Sequence, residues 1–136
     1  MTSYAIIDIE GIGEVYAKKL KDAGIKTTKA LLDATATKKQ RADLAEKTGI
    51  SGALILTWAN HADMMRVRGI GPQYAELLEA SGVDTVKELA HRVPANLAAK
   101  MKEVNEKKNL TNGQISEKSI AKWVAEAKTL EPVMKY

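Results

Sequence analysis

The stretch GIGEVYAKKLKDAGIKTTKALLDAT, residues 11–35, returns as GIGPQYAELLEASGVDTVKELAHRV, residues 69–93. The offset is 58, and 10 of the 25 aligned positions are identical, among them Gly11/Gly69, Ile12/Ile70, Gly13/Gly71, Tyr16/Tyr74, Leu20/Leu78, Gly24/Gly82, Thr27/Thr85 and Leu31/Leu89. Downstream, ISGALILTWANHADMM (50–65) aligns with ISEKSIAKWVAEAKTL (115–130) at an offset of 65, matching Ile55/Ile120, Trp58/Trp123 and Ala62/Ala127. An internal repeat of this period means two copies of one supersecondary unit. The offset grows by seven, so the second copy carries a seven-residue insertion, and the polar stretch 105–114 is its expected place. The expected modules are residues 1–64 and 65–136.

Each copy reads as helices joined by short turns. Ile12, Tyr16, Leu20 and Ala23 share a helical face, Gly24 and Gly82 stop their helices, and Thr27 and Thr85 open the next ones. Thr37 with Gln40 has the spacing of a capping box. Ile55, Trp58, Ala62 and Met65 form a stripe repeated by Ile120, Trp123, Ala127 and Leu130, which predicts one buried face on the last helix of each copy. No segment alternates with period two long enough to be a strand. The expected fold is all-α: two pseudo-repeated modules packed as a compact helical array, with the helix near 52–65 serving both. The end of the chain, from Pro132, is expected to be extended.

Composition removes several function classes. Among 136 residues there is no cysteine, hence no disulfide frame, zinc finger or thiol nucleophile. His61 and His91 lie too far apart for a metal-ligand pattern. Glu76 and Glu79 read as an exposed acidic face, and no catalytic motif or phosphate-loop lysine is visible. The reading is therefore of a protein that is not an enzyme and uses no cofactor and no metal. Apolar runs are short, and the first residues carry no basic region ahead of an apolar one, so no membrane association and a cytoplasmic location are expected.

Chemistry is expected at the Gly-Ile-Gly turns. Glycine opens backbone angles closed to other residues and lets an outside group approach. A helix starts at once after each turn, near Glu14 and at Pro72. Its leading N–H groups lack internal partners and carry the positive end of the helix dipole, which suits a phosphate oxygen.

IEGIGEVYAKKLKDAGI and VRGIGPQYAELLEASGV both resemble the helix-hairpin-helix motif. Residues 17–62 are also similar to the small N-terminal helical domain of archaeal and eukaryotic recombinases, with TGIS (48–51) and QIS (114–116) as second hairpins. As a whole the chain resembles a bacterial family of unknown function that pairs two helix-hairpin-helix modules. The resemblance implies sequence-independent binding of nucleic acid, double-stranded DNA first, through backbone phosphates. The residues assigned to this are Gly69, Ile70, Gly71, Arg66 and Arg68 at the second turn, and Gly11, Gly13, Lys18 and Lys19 at the first. The second turn ranks higher, because Asp8 and Glu10 precede the first. In the second hairpin of the later copy Gln114 stands where Gly49 does, with Gly113 as the shifted replacement.

The charge balance keeps another reading open. Residues 1–64 carry nine basic and eight acidic groups, and 65–136 carry twelve and nine, so neither half has a strong electrostatic footprint. The alternative is a helical adaptor for another protein, or a homodimer, with the hairpins as structural turns.

Overall fold

The computed structural model describes residues 4–136 and is all-helical over that range. A single 3-10 turn, Ile6–Asp8, leads into eight helices: α1 (Glu14–Asp22), α2 (Thr28–Thr35), α3 (Lys38–Thr48), α4 (Gly52–Met64), α5 (Pro72–Ala80), α6 (Val86–Ala90), α7 (Pro94–Lys108) and α8 (Glu117–Ala127). Among the described residues, extended pairing is limited to one antiparallel bridge between Ala5 and Thr27. No helix of the described residues is long and apolar enough to cross a membrane.

Local chemistry sets most helix starts. The side chains of Thr27, Thr37, Ser51, Thr85 and Ser116 each accept a hydrogen bond from an N–H of the helix they precede. Thr37 and Gln40 form the complete reciprocal box. α1 and α5 stop at matched places, where the amide of Ile25 reaches back to the Leu20 carbonyl and that of Val83 to the Leu78 carbonyl, both at 2.8 Å. Ile12 and Ala23 are not part of the α1 face: Ile12 belongs to the turn before the helix and Ala23 is its C-cap, so Leu20 is the buried residue of α1.

The core is aliphatic, with Trp58 and Trp123 as its largest members. α4 departs from the single buried stripe. From Trp58 to Met64 every residue is buried, including Asn60, His61 and Asp63. Polar groups on a helix surrounded on all sides need partners, because an unpaired buried polar atom costs about 1–3 kcal/mol, and among the described residues only His61 Nδ1 lacks one. Asn60 accepts from the Tyr136 hydroxyl at 2.6 Å, His61 meets Glu79 of α5, and Asp63 accepts from Arg66 Nε at 2.7 Å. α4 packs on α2, α3 and α5.

The extra length of the second half is partly helical rather than loop. α7 has 15 residues where α3 has 11, so residues 105–108 are its last turn. The left-handed position after α7 is taken by Asn109 (φ 48°), not by Gly113. Gly113 serves a different need, since a Cβ there would overlap the Tyr74 hydroxyl. The segment from Pro132 has no regular structure, as expected, but it is docked: Met134 is buried, the Lys135 amide donates to the Ala36 carbonyl at 2.7 Å, and Arg41 donates to the Lys135 carbonyl at 2.8 Å.

Candidate functional site

The two glycine turns are built alike. Gly11 (φ 90°) and Gly69 (φ 94°) take the left-handed conformation, and both are exposed. The next residue, Ile12 or Ile70, is buried, and its amide bonds to the carbonyl three residues back, Ile9 or Val67, at 3.1 Å. Gly13 and Gly71 are the N-caps of α1 and α5, and neither helix start has a side-chain cap. The leading amides of these two helices are thus left to outside partners, where five other helices use Ser or Thr.

Tryptophan fixes each turn. Trp58 packs with Tyr16 at 5.1 Å between ring centroids, and Trp123 with Tyr74 at 5.3 Å, both with 60° between planes. A Cβ added at Gly11 would lie 3.7 Å from Trp58 Nε1, and one at Gly69 would lie 3.0 Å from Trp123 Nε1. The indoles read in sequence as core stripes are also the supports of the turns.

The surroundings of the turns differ. At the first, Gly13 has open space on its Cβ side, and Lys18 and Lys19 are exposed on α1. At the second, Tyr4, Asp8 and Glu10 join Gly69, Gly71, Pro72 and Tyr74 around one hollow. The carboxylates that precede the first turn in sequence therefore line the second in space. Pro72 also removes one leading N–H from α5. The Arg68 amide donates to the Glu126 carboxylate, although its side chain is exposed. Arg66 is turned away to Asp63, with only 10% of its side chain exposed. Lys18 and Lys19 are thus exposed on the helix that follows Gly11 and Gly13, while of the two arginines before Gly69, Ile70 and Gly71 Arg68 alone is exposed.

Two acidic residues of α5 lie outside that assignment. Glu79, read as part of an exposed acidic face, partners buried His61. Its neighbour Glu76 has a carboxyl pushed up by partial burial first and by Glu10 next; Glu79 adds to the rise, while His61 and Lys108 oppose it. Among the described residues no group of His, Asp and Glu has the makings of a metal site. The repeat alignment held one usable signal: at the offset of 65, Glu126 stands opposite His61, so the two turns could not have identical neighbours.

A family model, described as a domain of unknown function (DUF4332), matches residues 10–130. The chain belongs to the DUF4332 family. The match takes in both glycine turns, all eight helices and the loop between α7 and α8. No curated protein and no solved structure matches this DUF4332 chain.

Proposed function

We propose that the chain binds the nucleic-acid backbone, double-stranded DNA first, without sequence preference and without catalysing a reaction. In this reading residues 1–64 and 65–136 are two helix-hairpin-helix modules, akin to the N-terminal domain of recombinases. The observation that carries it is the pair of exposed glycine turns whose helices alone combine a glycine N-cap with no side-chain cap. Such amides donate best to a phosphate oxygen. The first turn is the principal contact, because Gly13 is open and Lys18 and Lys19 follow it, while Asp8, Glu10 and Glu126 crowd the second. Arg68 adds a cation at the second turn, and Arg66 does not contribute.

Fluorescence anisotropy with a labelled random-sequence duplex and the matching single strand tests this. Log affinity should fall with log salt at a slope of about −2 to −4, and Lys18→Gln/Lys19→Gln should make that slope shallower by about 2. A folded double variant that binds like the parent would exclude the first turn. No binding at low salt would leave both turns structural and favour the protein-partner reading. That reading has its own observation: Val15 (70% exposed) and Ile7 (48%) are large apolar side chains at the start of α1 and in the turn leading to it. Sedimentation at micromolar concentration then distinguishes a homodimer from a monomer that awaits another partner.

A further inference from the structure

A hollow of about 490 Å³ near the end of α4 is walled by Val86, Leu130, Pro132, Val133 and Met134, and Arg66, Asp63, Lys87 and Tyr136 complete its lining. Its size is that of a small-molecule site, and its walls are mainly aliphatic. One wall is the segment from Pro132, pinned by Arg41 to the Lys135 carbonyl and by the Tyr136 hydroxyl to Asn60. A pinned wall is preorganised, so a ligand need not order it.

Arg66 is the polar anchor. It is nine-tenths buried, and its Nε is held by Asp63. Its two terminal nitrogens have no hydrogen-bond partner among the described residues. A guanidinium carries five donors in a planar fork, and only one is used here. The four remaining N–H groups are reached by solvent at a mostly apolar wall, and their planar fork matches an acceptor with two oxygens side by side.

The other charges permit an anion. Lys87 is exposed at the rim and adds a second cation. Asp63 is already committed to Arg66, and burial pushes its carboxyl above the ordinary range, with Arg66 opposing the rise. The Tyr136 hydroxyl is pushed up to about 12 by burial, Asp63 and Asp84, against Arg41, so it is uncharged at neutral pH and donates to Asn60. Asp84 is the further carboxylate nearby.

We infer that this hollow is a binding site for an aliphatic carboxylate, whose two oxygens meet the free edge of the Arg66 guanidinium and whose chain lies against Val86, Leu130, Val133 and Met134. It is separate from the nucleic-acid reading and explains why Arg66 faces inward.

The probe is octanoate, with 1-octanol as its neutral counterpart, followed through the methyl signal of Met134 in an NMR titration of the full chain. Octanoate should give a saturable shift, and octanol should bind at least about tenfold more weakly. Val133→Trp, which fills the hollow without touching the ion pair, should weaken octanoate at least about tenfold. The paired change Asp63→Asn/Arg66→Gln removes both charges and the guanidinium fork; it should bring octanoate down to the affinity of octanol. The inference is overturned if octanoate shows no saturable shift by about 10 mM, if octanol binds as tightly, or if folded Val133→Trp binds octanoate like the parent. Should the paired variant fail to fold by circular dichroism, the octanol comparison and Val133→Trp decide the matter.

Discussion

The turns at Gly11–Gly13 and Gly69–Gly71 share sequence, backbone conformation and an indole support, yet they live in different settings. α1 buries only Leu20 and presents lysines to solvent, whereas α5 buries Ala75, Leu77 and Leu78. The second turn is pressed closer to its tryptophan and is flanked by Tyr4, Asp8, Glu10 and Glu126. The two turns share what each needs locally. They do not share their neighbours, because Asp8, Glu10 and Glu126 all face the second. A repeated motif therefore predicts backbone geometry twice, but ligand chemistry only once its neighbours are known.

The supports give the strongest test. Trp58 is 1% exposed and Trp123 7% exposed. Trp58→Ala should cost about 4 kcal/mol and Trp123→Ala about 3 kcal/mol in urea unfolding, since large cavities in packed cores cost about 3–5 kcal/mol. If Trp123→Ala costs more, the second half rather than α4 is the anchor of the fold.

The glycines come next. Alanine at Gly11 should cost about 1–2 kcal/mol for its positive φ alone. Alanine at Gly69 should cost roughly 1 kcal/mol more, because its Cβ would sit 3.0 Å from Trp123 Nε1, tighter than ordinary packing. Equal losses in the two variants would mean that Trp123 yields freely and that the turns are mechanically alike.

The smallest effect tests where the acidic residues face. Glu76 has a carboxyl raised from 4.5, by burial first and by Glu10 second. A carboxyl raised on folding stabilises the fold below its unfolded value of 4.5, and that contribution is lost as pH rises through the raised folded value. Glu10→Gln should lower the Glu76 midpoint in a carbon-13 carboxyl titration and shrink that loss, while leaving the midpoint raised by burial. An unmoved midpoint would place Glu10 back at its own turn and return the two turns to equivalence.

What could be read in advance was local. The starts of α1 and α5 at Glu14 and Pro72, the caps at Thr27, Thr37 and Thr85, and the burial of Trp58 and Trp123 all follow from residues a few positions apart. The end of α7 was less legible, because Asn109 can take a left-handed angle that glycine usually supplies, which hid the stop inside a polar stretch. The direction of Arg66 was ambiguous in sequence: a basic residue before a glycine turn reads as a phosphate contact, while Asp63 at i−3 is the partner that holds it.

An all-helical chain with two Gly-Ile-Gly turns was legible in the residues alone, because periodicity, caps and turn residues act over one or two helical turns. The tertiary structure alone decided which turn is open, that Glu126 reaches the Arg68 amide across 58 positions, and that Arg41 clasps Lys135 across 94. Those contacts join residues whose spacing along the chain carries no period, so only the packing of the helices around α4 could bring them together.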